Sequence, residues 1–238
     1  MSGQVFSVSK ESVIVKKDSV FYKYFHIVPK VKKNEKVTAG ITILGEIAPG
    51  KFPHIHFEEN NGARNPLRKG GLTPYKDNRS PVIGKISFYS DITMNEDHNT
   101  LIGETMPVPN QSPLPVLSGI VDILAKIEDR QSNGSQNTAP YRVSYQIRLD
   151  TLANVGEREY AANNTFQLDS IPTCGPRWLY NELKSTKSSF YYWVTNSLCS
   201  DTVLDTKTLK NGPYMITIFA ADIQGNRILE NVFVTIKN

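Results

Sequence analysis

Short runs of β-branched and aromatic residues, each bounded by turn residues, constrain the fold of this chain more than any other feature. The segment Ser12–His26 has one such run on either side of the polar stretch Lys16–Ser19, a pattern typical of a β-hairpin. A second apolar run, Ile41–Ile47, is predicted to form a strand and is followed by the turn-forming pair Pro49-Gly50. Because helical periodicity is missing from about the first 90 residues, the sequence predicts an all-β protein that begins with a small antiparallel β domain.

The chain from Pro81 onward has the spacing of an antiparallel β-sandwich. The predicted strands are Val82–Tyr89, Ser118–Glu128, Tyr141–Leu149, Thr165–Leu168, Phe190–Val194, Tyr214–Asp222 and Ile228–Lys237. About seven strands with turn signals between them indicate an immunoglobulin-like sandwich. We therefore divide the chain into a small β domain at residues 1–79 and an immunoglobulin-like domain at residues 80–238.

Three connections in the second domain carry more specific predictions. Asp222–Asn226 is expected to be a hairpin loop in which Gly225 or Asn226 adopts a positive φ. Leu101–Val116 holds four prolines and is interpreted as a long exposed connection. Trp178–Leu183 is interpreted as a short helical turn.

Composition and charge narrow the functional classes. The 238 residues are 39% hydrophobic and 21% charged, which is typical of a globular protein. The net charge is only +4, and like charges form no block longer than short pairs such as Lys32-Lys33, so nucleic-acid binding is not predicted. No apolar run reaches the roughly 18 residues of a membrane span, and the first residues lack the layout of a signal peptide. Cys174 and Cys199 fit one disulfide bond as well as they fit two buried thiols.

Two of the four histidines, His54 and His56, lie two residues apart in the predicted strand Pro53–Glu58. Side chains alternate along a strand, so both imidazoles are expected on one face. A catalytic zinc takes three protein ligands and keeps one position for water, so this pair supplies only part of such a site. His26, at the end of an aromatic run, is a candidate to stabilise an oxyanion. His98 lies in a polar loop and is interpreted as an exposed loop residue.

The order of several short motifs resembles a known family. These motifs are Val5-Phe6, Tyr24–His26, Pro29–Lys32, Val37–Gly40, Leu44-Gly45, Pro53–Glu58 and Asn65–Leu67. Their order and spacing over residues 3 to 72 are similar to the C-terminal two-thirds of a lysostaphin-type (LytM-like or LasA-like) zinc endopeptidase domain. Enzymes of that family cut the peptide cross-bridges of bacterial peptidoglycan, so the resemblance implies a location outside the cytoplasm: extracellular, periplasmic or on the cell surface.

The resemblance implies roles for three residues. His56 matches the zinc ligand of the family's His-x-His motif, His54 matches its general base, and His26 matches a histidine that lines the active site. The family's other two zinc ligands, a His and an Asp four residues apart, lie before the strand at Val5, and residues 1–4 contain neither. Zinc is therefore expected to be incompletely coordinated by this chain, which is either part of a larger active enzyme or a degenerate member that cuts nothing.

Three functional hypotheses follow. The first is a non-catalytic binding or structural protein of the cell envelope, with peptidoglycan or another envelope protein as its partner. The alternative is a zinc-dependent peptidoglycan endopeptidase whose His-x-x-x-Asp ligand pair lies outside this chain. A third is a carbohydrate-binding module that uses the adjacent rings of Tyr191, Tyr192 and Trp193, although packing of these rings in the core, with one exposed, is the interpretation that we prefer.

Overall fold

The prediction of an all-β protein is confirmed. A computed structural model describes residues 2–50, 53–62, 64–68, 71, 77–90, 100–107, 113–130, 137–149, 164–170, 172–186 and 188–238. In these ranges the chain forms strands, turns and three 3-10 helices of three residues each, at Asn60–Gly62, Pro176–Trp178 and Thr206–Thr208. No helix among the described residues has the length and apolar character needed to cross a membrane.

The chain divides into two compact units. The first comprises residues 1–73 together with residues 169–171, and the second comprises residues 74–168 together with residues 172–238. The boundary that the sequence suggested, after residue 79, lies a few residues further along the chain. The assignment of the first unit to a peptidase-like domain and of the second to the immunoglobulin class stays a prediction.

The first unit contains seven strands. They are β1 (Gly3–Ser9), β2 (Ser12–Lys17), β3 (Val20–Phe25), β4 (Ile27–Pro29), β5 (Lys36–Val37), β6 (Gly45–Ile47) and β7 (His56–Glu59). Five of them form an antiparallel sheet in the order β5-β1-β2-β3-β7, and β4 pairs with β6 in a separate ribbon. The predicted hairpin is confirmed as β2 and β3, joined by a turn in which Asp18 adopts the left-handed conformation that Asp tolerates, with φ 54°.

The core of the first unit lies on one side of this sheet. Val5, Val15 and Tyr22 are cross-strand partners on β1, β2 and β3, and all three are buried. Their side chains pack with four further buried residues, Val13, Ile27, Val31 and Val37. Because side chains alternate along each strand, the residues that precede and follow Val5, Val15 and Tyr22 point to the opposite side of the sheet.

The apolar run Ile41–Ile47 forms a strand only at its end, in β6, and here the prediction was wrong. The amides of Ile41 and Thr42 both donate to the Thr38 carbonyl oxygen, at 3.1 and 2.9 Å, so the chain curls into a turn. Gly40, at φ 75°, supplies the left-handed residue that this turn requires. As a result Ile41 and Ile43 are 78% and 68% exposed instead of packing in a sheet.

The second unit contains eleven strands. They are β8 (Val82–Ser90), β9 (Thr100–Thr105), β10 (Val116–Leu117), β11 (Ile120–Arg130), β12 (Asn137–Thr138), β13 (Arg142–Leu149), β14 (Asn164–Gln167), β15 (Phe190–Trp193), β16 (Leu204–Asp205), β17 (Gly212–Ala221) and β18 (Arg227–Ile236). One sheet has the order β10-β18-β17-β13-β14, and the other runs β12-β11-β8-β9 with β15 and β16 also paired to β11. All of these pairs are antiparallel except β10 with β18.

A shared apolar core joins the two sheets of the second unit, which gives it a β-sandwich character. The first sheet contributes buried residues from β13, β17 and β18, and the second from β8 and β11. Prominent members are Phe88, Ile86, Ile123, Ile127, Val143, Tyr145, Ile216, Ile218, Val232, Val234 and Ile236. The loop between β17 and β18 is the predicted hairpin loop, with Gly225 at φ 96°.

Two further predictions about connections need correction. Leu101–Val116 is not one long exposed connection, because β9 pairs with β8 and β10 pairs with β18. The four prolines of this stretch all follow Met106, so they leave β9 free to form its hydrogen bonds. The predicted helical turn lies earlier than expected, at Pro176–Trp178.

The question of the two cysteines is answered by a disulfide bond. Cys174 and Cys199 are joined, with their Cα atoms 5.3 Å apart and a sequence separation of 25 residues. The bond closes a loop that contains β15. In the chain-entropy model a loop of this size stabilises a fold by roughly 3 kcal/mol.

Candidate functional site

The sheet of the first unit has one face in the core and one face turned away from it, which we call the open face. Gln4, Lys16 and Phe21 form one cross-strand row on this face, next to the buried row of Val5, Val15 and Tyr22. Further along, Lys23 pairs with Glu58 and Phe25 pairs with His56. The open face is thus defined by Gln4, Lys16, Phe21, Lys23, Phe25, His56 and Glu58.

Three histidines meet at one end of the open face. The ring centre of His26 lies 4.7 Å from that of His54 and 6.3 Å from that of His56. Phe25 supplies an apolar neighbour, with its ring centre 5.4 Å from His56. All three imidazoles are exposed to solvent. The structure therefore brings together the residues that the resemblance selected, and we call them the histidine cluster.

The backbone explains why His54 stands outside the strand that was predicted for it. His26 adopts the left-handed conformation, with φ 61°, and this ends β3 at Phe25. Phe25 is the partner of His56, so β7 begins at His56 and residues before it have no strand to pair with. The same turn of the chain places the His26 ring beside His54. The Ala48 amide donates to the His26 carbonyl oxygen at 2.8 Å, which holds this conformation.

A charged pair borders the histidine cluster. The His56 Nε2 atom lies 3.4 Å from a carboxylate oxygen of Glu58, whose other oxygen lies 3.7 Å from the Lys23 ammonium. Lys23 and Glu58 are cross-strand partners and are both partly buried. Glu58 therefore sits between a cation and an imidazole, and it divides the open face into a histidine end and a lysine end.

The histidine cluster does not fit a complete zinc centre by itself. Three ligands of one zinc, each about 2.0–2.1 Å from the ion for imidazole nitrogen, must lie within a few ångströms of one another. Among the described residues, the histidines belong to no group of three potential ligands whose atoms all lie within 4.8 Å of one another. We therefore derive no chemical step through a zinc ion here.

A buried ion pair fixes the strand that carries His56. Glu59, only 2% exposed, accepts two hydrogen bonds from the Arg68 guanidinium, at 2.7 and 2.9 Å. This bond raises the pKa of Arg68 above its ordinary value. Asn65 shapes the intervening turn, because its side-chain oxygen accepts a hydrogen bond from the Leu67 amide at 3.0 Å. The resemblance implies that Asn65–Leu67 closes the core, and nothing in the sequence singled out Arg68 as the partner of Glu59.

The second unit contains a group of three carboxylates that sequence reasoning missed. Ligand atoms of Asp77, Asp129 and Asp222 all lie within 4.8 Å of one another, and Asp129 and Asp222 are almost fully buried. The Asn226 side-chain amide donates to the Asp222 carboxylate at 2.6 Å and to the Asp77 carbonyl at 3.0 Å. Oxygen donors of this kind suit a hard divalent cation rather than zinc, so the group could hold a metal ion.

The surroundings of Asp129 make its ionised form less favourable than that of an exposed aspartate. Burial raises the pKa of Asp129 to about 6, and the negative charges of Asp222 and Asp77 add to the rise against a hydrogen bond from Thr138. The three aspartates are far apart in the sequence, so no local sequence motif could have predicted that they form a group. The Asp222–Asn226 segment had been interpreted only as a turn, which it is, since the amides of Gln224 and Asn226 both donate to Asp222.

The adjacent rings on β15 are packed, as our preferred interpretation held, but the third ring, Tyr191, is partly buried instead of exposed. Tyr192 lies in the main core, 3% exposed, and Trp193 is 5% exposed on the other side of the sheet. Trp193 packs with Leu124 and with the edge of Tyr89, and Tyr191 is partly buried against the same group. These rings do not form a three-ring surface for a sugar. His98 lies outside the described residues.

Comparisons with protein-family models, with curated proteins and with solved structures found no match to this chain. The lysostaphin-type resemblance and the roles that it assigns to His26, His54 and His56 therefore stay predictions.

Proposed function

We propose that the first unit is a non-catalytic binding domain of a cell-envelope or cell-surface protein, and that its partner contacts the open face at the histidine cluster. The observation that supports this proposal is the meeting of three exposed imidazoles at one end of the open face, although among the described residues they belong to no group of three close potential metal ligands. His26 and His54 lie in connections at the end of the sheet, and functional side chains on loops that a rigid scaffold positions are typical of a recognition surface.

The chemistry of this end of the face suits a peptide partner such as the peptide part of peptidoglycan. Neutral imidazoles both donate and accept hydrogen bonds, which matches the amide groups of a peptide. Phe25 offers an apolar contact beside His56. The neighbouring Lys23 and Glu58 can each pair with a charged group of opposite sign on the partner.

The test combines binding with metal analysis on the purified 238-residue chain. We expect the chain to sediment with peptidoglycan sacculi, to contain far less than one zinc per molecule and to release no peptide fragments. Replacing His26 and His54 by Ala should weaken sedimentation about tenfold, equivalent to roughly 1.4 kcal/mol. His98→Ala is the matched control and should bind as the parent does. Equal binding by the double variant would overturn the proposal.

A zinc-dependent peptidoglycan endopeptidase is the second candidate. It is favoured by the 4.7 Å approach of His26 to His54, the two residues to which the resemblance assigns catalytic roles beside the ligand position of His56. In this case a His-x-x-x-Asp pair from another segment or chain would complete the coordination. Stoichiometric, tightly bound zinc together with cleavage of peptidoglycan, both lost in His56→Ala, would support this candidate against the first.

A further inference from the structure

The two units carry opposite formal charge. The first has twelve Lys and Arg residues against seven Asp and Glu, a net charge of +5, and the second has fifteen against sixteen, a net charge of −1. The modest total of +4 conceals this asymmetry. A positively charged unit attracts anionic partners, so the question is whether its lysines converge on one surface.

Several exposed lysines converge on the end of the open face that is remote from the histidine cluster. Lys36 on β5 is the partner of Gln4 on β1, which is in turn the partner of Lys16 on β2. Neighbouring strands lie about 4.8 Å apart, so Lys16 and Lys36 flank Gln4 on three adjacent strands that together span roughly 10 Å. The Gln4 side-chain amide donates to the Asn34 carbonyl oxygen at 3.0 Å, which attaches the turn between β4 and β5 to the same strip.

That turn carries two more lysines next to the strip. Lys32 and Lys33 are both exposed there. Within the described part of the chain, none of Lys16, Lys32, Lys33 and Lys36 has a carboxylate within 4.0 Å of its ammonium group. In contrast, Lys23 and Lys30 pair with Glu58 and Glu46. The Glu35 carboxylate of this turn accepts a hydrogen bond from the Lys32 backbone amide at 2.9 Å, but among the described residues it forms no ion pair with any of the four ammonium groups.

An aromatic pair continues the strip on its other side. Lys16 lies over the ring of Phe21, 5.4 Å from its centre, and Phe21 packs against the edge of Phe6 with ring centres 5.1 Å apart. Phe6 is the extra residue of the β-bulge in β1 and is 50% exposed. The bulge re-aims this side chain toward Phe21. The strip therefore offers an exposed aromatic surface directly beside lysine ammonium groups.

We propose that this strip, formed by Lys16, Lys36, Gln4, Phe6 and Phe21, binds an anionic polysaccharide whose sugar rings carry carboxylate groups. A uronic-acid ring presents an apolar ring face and a carboxylate on one residue, which matches a Phe surface beside Lys. The inference rests on the proposed function, because it assigns the second half of the same open face to a carbohydrate of the cell envelope.

Charge and dimensions disfavour other anionic polymers. Proteins that bind single-stranded nucleic acid follow the phosphate backbone with a long positive groove, whereas this strip crosses only four strands and lies beside the Lys23–Glu58 pair on the same face. A polyol phosphate has no sugar ring in its backbone for Phe6 to contact. A sparsely charged chain of sugars fits both the short cationic strip and its aromatic border.

The test uses polygalacturonate as the probe, with isothermal titration calorimetry on the full chain at low ionic strength. We expect binding that falls about tenfold, roughly 1.4 kcal/mol, in the double variant Lys16→Ala/Lys36→Ala, and about threefold in Phe6→Ser. The matched control is Lys10→Ala/Lys17→Ala, which removes the same charge from the first unit. Lys10 lies in the turn between β1 and β2, and Lys17 follows Lys16 and so points to the other side of β2. This control variant should bind polygalacturonate with an affinity within about twofold of the parent's.

Three outcomes would overturn the proposal: equal losses in the two double variants, equal binding of the methyl-esterified polymer, or tighter binding of single-stranded DNA or of anionic lipid vesicles. Circular dichroism of each variant shows whether it is folded. The sacculus assay with the His26/His54 variant separates the two proposals. If this variant loses sacculus binding but still binds polygalacturonate, the strip is an independent site. If the parent chain binds sacculi but not polygalacturonate, the carbohydrate proposal is overturned and the proposed function of the histidine cluster is unaffected.

Discussion

The two units of this chain use the faces of their sheets in different ways. In the second unit, two sheets bury their inner faces in one core that contains 22 buried apolar residues among those described, whereas the corresponding core of the first unit contains seven. The first unit leaves one sheet face turned away from its core, with histidines at one end and unneutralised lysines at the other. The difference teaches that the second unit uses the inner faces of both sheets for packing, whereas the first leaves one sheet face available, as the recognition role that we propose requires.

The largest expected effect comes from the large core. Phe88 is fully buried, and Phe88→Ala should lower the free energy of unfolding of the second unit by about 3–5 kcal/mol through lost burial and a cavity. Both tryptophans, Trp178 and Trp193, belong to the second unit, so tryptophan fluorescence during urea denaturation reports on this unit. A loss below about 1 kcal/mol would mean that the core is less closely packed than its burial indicates.

In the first unit, the buried ion pair should matter more than any single apolar contact on the open face. Arg68→Met leaves the buried Glu59 carboxylate without its two hydrogen bonds and should cost about 3 kcal/mol. Hydrogen exchange of β3 and β7 should accelerate accordingly. The second change Glu59→Gln, made in the Arg68→Met background, should restore part of the protection against hydrogen exchange, because it removes the buried charge that has lost its partner.

The aspartate group predicts a pH dependence in the second unit. The pKa of Asp129 is raised from 3.8 to about 6 in the folded state, so the folded protein binds the proton more tightly and stability falls as pH rises from about 4 to 6. The shift corresponds to roughly 3 kcal/mol. Asp129→Asn should remove this decrease in stability between about pH 4 and pH 6.

The measurement is the difference in unfolding free energy between parent and Asp129→Asn across this pH range, made in the presence of a chelator so that no cation neutralises Asp77 and Asp222. A difference that stays constant from pH 4 to pH 6 would contradict the raised pKa. The chelator-free measurement then shows whether a divalent cation changes the profile.

The smallest effect should come from the exposed isoleucines of the first unit. Ile41 and Ile43 are 78% and 68% exposed, so Ile41→Thr and Ile43→Thr should each change stability by less than about 0.5 kcal/mol. Val15→Thr, an apolar-to-polar change at a fully buried position of the same unit, is the control and should cost clearly more. Thermal melts followed by far-ultraviolet circular dichroism would compare the three variants.

The sequence predicted those parts of the fold that local signals determine. The β2–β3 hairpin and the β17–β18 hairpin both followed from alternating apolar residues around a turn, and Gly225 took its expected conformation. The sequence misplaced elements that depend on distant partners. Ile41–Ile47 had the composition of a strand, but backbone hydrogen bonds to Thr38 curl its first half.

The candidate sites show the same division. The proximity of His54 and His56 could be predicted from their spacing, and that of His26 only from the resemblance. The aspartate group unites residues 77, 129 and 222, and the lysine strip unites residues 16 and 36 through Gln4. Such groups arise from the register between strands that are distant in the sequence, and a single sequence does not reveal that register.

The left-handed backbone of His26 has a consequence for how this protein could be redesigned. A non-glycine residue in this conformation costs roughly 1 kcal/mol, and glycine at position 26 would end β3 at least as well. A designer who sought only thermal stability would therefore choose His26→Gly and would erase the central ring of the histidine cluster without disturbing the sheet. That single variant separates the demands of folding from the demands of recognition at one residue.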